Sequence, residues 1–156
     1  MVNVTPQIKS AIAAPLRAAW APLLVFGLHL FISRVLNAYL LIPPLDIPMH
    51  FFGGVSIAYF FARSARALPV GTISPAFRPW LVAVLVFALT GTATVFWEFA
   101  EFFSDHLFAT HAQLGLGDTL LDMALGVGGG VTYLAMAAKS CLLGVAAPSV
   151  ADASAP

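Results

Sequence analysis

Apolar residues run along this chain in long blocks that isolated polar residues interrupt but do not end. A helix needs about 20 apolar residues, with a range of about 17–25, to cross the hydrocarbon core of a bilayer. Four blocks fall in that range. The first runs from about Ala18 to Ile42, interrupted by His29, Ser33, Arg34 and Asn37, with Pro43-Pro44 closing it. The second, Asp46 to Ala62, ends at Arg63 and Arg66. The third, Trp80 to Phe103, carries Glu98 and Glu101 in its last turns, and the fourth runs from Asp118 to Leu143, beyond Lys139. Leu68–Pro79, with Pro69, Gly71, Pro75 and Pro79, reads as a loop. Gly144–Pro156, rich in Ala, Pro and Ser, reads as a flexible tail. The pattern predicts an all-α polytopic membrane protein, with a single four-helix transmembrane bundle over residues 1–143. Lys9 and Arg17 ahead of an apolar run imitate a secretory signal. The length of the run and the lack of a small-residue cleavage site predict a retained helix instead.

Composition narrows the function. Hydrophobic types make up 60% of the 156 residues and charged types 9%, against about 25% charged in a soluble domain. That excludes a soluble globular enzyme and a disordered segment. The net charge of zero leaves no basis for electrostatic capture of nucleic acid. One cysteine, Cys141, excludes an intrachain disulfide framework and a thiolate metal cluster, and no role is assigned to it.

Charge placement predicts the orientation. Lys9 and Arg17 precede the first span, Arg63, Arg66 and Arg78 lie between the second and third, and Lys139 ends the fourth. The loops on the other side contain no Lys or Arg. The positive-inside rule then puts both termini in the cytoplasm. Acids segregate the opposite way: Asp46, Glu98, Glu101, Asp105, Asp118 and Asp122 belong to outer loops or outer helix ends, with Asp152 in the tail. The topology rule concerns basic residues and does not account for that bias.

At about 1.5 Å rise per residue, Arg34 lies roughly 24 Å above Ala18 and Glu98 roughly 27 Å above Trp80. His50 and Asp122 lie about one turn below the same outer boundary. All four spans therefore deliver polar groups to one layer. They do so in stacked pairs: Asp46/His50 and Asp118/Asp122 are spaced by four, Glu98/Glu101 and Arg34/Asn37 by three. Beneath them the same faces are small, with Gly53, Gly54 and Ala58 in the second span. Thr90, Gly91 and Thr94 line the third, and Gly126 with Gly128–Gly130 the fourth. Small residues at such spacing let helices approach closely in lipid, so the polar layer is expected to face inward.

Glu98, Glu101, Asp118 and Asp122 with Arg34 sum to minus three if all are ionised. A bound divalent cation, shared protons or full hydration in an outer vestibule would each relieve that charge. His50, Glu98, Glu101, Asp118 and Asp122, with Asp46 at the margin, form a carboxylate–imidazole set suited to Zn, Mn, Fe or Mg. Bundle cores bind metals through Glu and His on facing helices. The plainer reading is that these are polar helix ends wetted from outside, and Asp118 in particular fits a first-turn acid favoured by the helix dipole. Arg34 is expected to pair with a carboxylate, with Asn37 one turn above it. Its guanidinium fork also suits the phosphate of a lipid-linked substrate. His29 is expected near mid-membrane, below the layer. His106, His111 and Asp105 read as solvated loop polars, and Trp20, Trp80 and Trp97 as interfacial anchors. The Gly128–Gly130 run follows no strand, so it is not a nucleotide-phosphate loop.

Asp46-x-x-x-His50-x-x-Gly53-Gly54, Trp97-Glu98-x-x-Glu101 and Asp118-Thr119-x-x-Asp122 with Gly126 together resemble the YjdF-like family of bacterial inner-membrane proteins. The resemblance covers roughly Pro44 to Tyr133. The layout is similar, more loosely, to VanZ-like membrane proteins linked to glycopeptide-antibiotic resistance. Where those show Lys, Gln and Asn, this chain has Ile47, Glu101 and Asp122, which makes its site more acidic. The resemblance implies an inner-membrane location, the fold and the site, and names no activity.

Three functions fit these residues. One is a metal-dependent hydrolase or transferase acting on a lipid-linked or envelope substrate, with a carboxylate such as Glu98 or Asp122 as general base. Another is a cation or proton pathway. The last is a non-catalytic envelope or assembly protein. Below the layer only His29 is ionisable, which disfavours transport by a single protomer, although a homo-oligomer could build a pore between chains. No Ser–His or Cys–His pair points to a covalent nucleophile.

Overall fold

The computed structural model describes residues 6–67 and 77–142, and among them the regular structure is entirely helical. Four helices are long and apolar enough to cross a membrane: Ala11–Val35, Pro43–Arg66, Arg78–Phe108 and Leu116–Lys139. The expected tail at Gly144–Pro156, Leu143 and most of the Leu68–Pro79 loop lie outside the described residues.

The first span departs from expectation at both ends. Helix α1 (Pro6–Ala18) and helix α2 (Trp20–Leu30) form one rod, because Ala19 keeps a right-handed helical conformation. Its N–H donates to the Pro15 carbonyl (2.9 Å) and its carbonyl accepts from Leu23 N–H (3.1 Å). A π-helical turn, Phe31–Val35, follows, closed by Leu36 N–H on the Phe31 carbonyl at 3.1 Å. Asn37 then takes φ 48, in the left-handed region. Asparagine enters that region at lower cost than most residues because its side chain can bond locally. The rod therefore stops before Asn37, and not at Pro43-Pro44. A one-turn helix α3 (Ala38–Leu41) and a 3₁₀ turn (Pro43–Leu45) lead into α4 (Asp46–Arg66).

The other spans are each longer than the pattern predicts. Helix α5 runs Arg78–Phe108 and α6 runs Leu116–Leu142. Glu98 and Glu101 consequently lie well inside α5, and the outer loop shortens from the expected 104–117 to residues 109–115.

Three columns of residues spaced by four form the centre: His50, Gly54, Ala58 and Ala62 on α4, Glu98, Thr94, Thr90 and Val86 on α5, and Asp122, Gly126 and Gly130 on α6. Below the polar end of each column the residues are small or compact and buried, with Ala58 and Val86 fully inaccessible. Phe61, Val82, Tyr133 and Leu134 pack around Ala58, Ala62 and Val86. The contact between α4 and α6 is backbone on backbone. A Cβ added to Gly54 would sit 2.7 Å from the Gly126 carbonyl carbon, and one on Gly129 would sit 2.9 Å from Val55 N. Helix α5 closes the trio by laying Thr90 on Gly130 and Thr94 on Gly126. The small-residue faces read from the sequence are thus the faces in contact, except that Gly53 and Gly128 meet nothing.

Candidate metal centre

Each column ends in a polar residue, and because the helices touch through glycine, the three ends are forced together. His50 is the hub. Its Nε2 lies 3.3 Å from Asp46 Oδ1 and 3.8 Å from Asp122 Oδ1. Its Nδ1 lies 3.9 Å from Glu98 Oε1. Two sets of donors, Asp46–His50–Asp122 and His50–Glu98–Glu101, each keep their ligand atoms within 4.8 Å. Metal–oxygen and metal–nitrogen bonds of about 2.0–2.2 Å separate two donors on one ion by at most about 4.4 Å, and the contacts of His50 at 3.3, 3.8 and 3.9 Å fall within that limit. Oxygen donors with one imidazole suit a hard or borderline divalent ion.

The electrostatic setting is severe. Glu98 and Asp122 are only 4% and 3% exposed. Among the described residues, the ion pairs made by these acids run only to His50. Glu98 Oε2 accepts from Gln113 Nε2 (3.3 Å), and the same amide donates to the Glu98 carbonyl (3.0 Å). Glu98 Oε1 has no hydrogen-bond partner although it is buried. Buried polar atoms are nearly always satisfied in folded proteins, and this bare oxygen lies beside an imidazole and other acids in a cluster that could hold a metal ion. Thr90 Oγ1, deeper on the same column, is the other unpartnered buried side-chain oxygen among the described residues.

The expected residues do not all join this cluster. Glu101 reaches it but also accepts from Trp97 Nε1 at 2.8 Å. Asp118 does not: its Oδ2 accepts from Leu114 N–H (3.0 Å), so it fastens the loop to the first turn of α6. Arg34 forms no ion pair among the described residues, contrary to expectation. It sits in the π-helical turn, and its Nη2 donates to Ser104 Oγ at 3.5 Å. Asn37 lies beyond the end of the rod and does not stack above Arg34, although both line the cleft described below. Asp105 is not a solvated loop acid. It accepts from the Thr110 hydroxyl and from the N–H groups of Ala112 (2.8 Å) and Gln113 (3.0 Å), which ties down the loop carrying Gln113. Asp105→Ala should free residues 109–115, seen as faster amide exchange there, with a local cost of about 0.5–1.5 kcal/mol for each hydrogen bond lost. Unchanged exchange would refute that role.

Three residues were undervalued in the sequence. Trp97, read as an interfacial anchor, forms a wall of the site: it stacks edge-on against His50, His29 and Phe26. Its spacing of four from Glu101 was the available signal. His29 is not below the layer, since its Nδ1 shares a hydrogen bond with Tyr39 (3.0 Å) beside Trp97. Burial first, then the charges of Asp46 and Glu101, pushes the Tyr39 phenol above its usual value, so it stays protonated. Gln113 gave no signal, because only the fold of the loop brings it to Glu98. His106 stacks on Phe102, whereas His111 reaches the cleft.

A cleft of about 760 Å³ opens from the cluster, lined by Asp46, Glu101, Asp118 and Asp122 together with Arg34 and Asn37. Phe26, Leu30, Phe108 and Leu121 also line it, and these side chains are between 40% and 75% exposed. Helix α2 packs chiefly on α4 and meets α5 at Trp97, and the cleft is lined by the end of α2, the π turn, the outer part of α5 and the first turns of α6. No curated protein and no solved structure matches the chain. A family match covers residues 9–141, most of the chain, and the chain therefore belongs to DUF2238, a family of predicted membrane proteins.

Proposed function

We propose that the protein is an inner-membrane, divalent-metal-dependent hydrolase or transferase acting on a lipid-linked or envelope substrate. The single observation that carries this reading is the unpartnered, buried Glu98 Oε1 in a ring of acids around His50. Asp46, His50 and Asp122 would hold the ion, with Glu98 on the opposite edge of the imidazole and Glu101 close to both. An ion there would polarise a scissile oxygen, and the carboxylate of Glu98, outside that ligand set, would take the proton from the attacking water. The cleft supports an amphiphilic substrate, since its lining combines charged residues with exposed apolar side chains. Arg34 and Asn37, lining that cleft, would orient an anionic headgroup. We further read residues 1–143 as one transmembrane unit with both termini cytoplasmic, supported by the gathering of basic residues on one side. The YjdF-like resemblance supports a bacterial inner membrane.

A transport pathway finds less support. The columns below Glu98 and Asp122 contain Thr94, Thr90, Val86, Gly126 and Gly130, none of them ionisable, which suits a one-sided pocket.

Metal analysis of the purified full chain is the direct test. Divalent metal should be present in stoichiometric amount and lost from a Glu98→Gln, Asp122→Asn variant. A parent that stays metal-free after incubation with Zn²⁺ or Mn²⁺ would dismiss the proposal.

A further inference from the structure

We propose that His50 bridges two divalent ions, one on each edge of its ring. The inference rests on the metal reading above and deepens it. The carboxylates around the imidazole are not gathered at one nitrogen. Asp46 and Asp122 face Nε2, at 3.3 and 3.8 Å, whereas Glu98 faces Nδ1, at 3.9 Å, and Glu101 brings a carboxylate oxygen within 4.8 Å of donor atoms of both His50 and Glu98. A single ion at Nε2 would leave Nδ1–H to point at Glu98, the usual arrangement in which a ligating histidine donates its second nitrogen to a carboxylate. That arrangement would call for a short, made hydrogen bond. Instead, the gap from Nδ1 to Glu98 Oε1 is too long for one, and the oxygen is without a partner while buried. The spacing matches two ligands on a shared ion better than a donor on its acceptor.

Charge balance points the same way. Asp46, Glu98, Glu101 and Asp122 carry four negative charges when ionised, and no Lys or Arg pairs with them among the described residues. One divalent ion balances two. A second, entering on the Nδ1 edge, breaks the Nδ1–H bond and forms the Nδ1–metal bond, and the proton leaves to water. The set of four carboxylates and one imidazolate then stands at minus one against two divalent ions. Arg34, lining the same cleft, offsets the remainder.

Manganese is the probe. The full chain, saturated with Mn²⁺ and freed of excess, should retain two ions per chain, and its electron paramagnetic resonance spectrum should show exchange coupling through the ring. Asp46→Asn/Asp122→Asn and Glu98→Gln/Glu101→Gln should each keep one ion and lose the coupling. One ion per parent chain, or two without coupling, would overturn the bridge and leave the metal reading standing. No retained ion would remove both. The parent protein alone decides these outcomes, so a variant that fails to fold does not shield the proposal.

Discussion

Gly54→Ala should destabilise the protein severely, whereas Gly53→Ala, one residue away, should not. The Gly54 methyl would lie 2.7 Å from the Gly126 carbonyl carbon and 2.9 Å from its Cα. Backbone cannot rotate away as a side chain can, so α4 and α6 would have to part. Overpacking of this kind costs about 1–3 kcal/mol, and parting the helices would also separate His50 from Asp122. At Gly53 a new Cβ meets nothing within 4 Å. There the substitution trades glycine's backbone freedom for helix preference, worth about 0.5–1 kcal/mol in favour of alanine. Thermal midpoints of the two variants in the same detergent give the answer. Equal midpoints, or a drop confined to Gly53→Ala, would mean that the helices do not touch at Gly54.

Divalent cations should raise the unfolding midpoint of the parent protein, and His50→Ala should abolish the rise. A ligand that binds only the folded state stabilises by about 2.7 kcal/mol at one hundred times its dissociation constant. The sign for Glu98→Gln is opposite in the two conditions. In chelator, loss of one buried like charge should stabilise the variant over the parent. In saturating Zn²⁺ or Mn²⁺ the parent should regain the lead, because its cluster is then balanced and the variant has lost a ligand. A parent whose midpoint ignores both chelator and added metal would sink this prediction.

The helices and their contact faces were legible in the sequence because both rest on local spacing. Gly54, Ala58, Gly126 and Gly130 lie at intervals of four, and a small-residue stripe in an apolar helix has few uses other than close packing. His50, Glu98 and Asp122 were legible for the same reason, each standing at the outer end of such a stripe. What escaped depends on backbone conformation or on the path of a loop. Nothing in hydrophobic periodicity reports that Asn37 turns left-handed or that Phe31–Val35 widens into a π turn. With the rod ending there, Arg34 meets Ser104 and not an acid. Asp105 and Asp118 looked alike as outer acids, yet each spends its oxygens on loop N–H groups, and Gln113 arrives at Glu98 only as a result.

The glycine seam divides the molecule mechanically. Helices α4 and α6, pressed main chain to main chain, form a stiff plate on which Asp46, His50 and Asp122 are mounted at fixed separation. The α2 rod leans on that plate from outside, touching α5 through Phe26 and His29 on Trp97. Any widening of the cleft falls to that rod, and it would carry Arg34 away while the histidine and its two aspartates stay put.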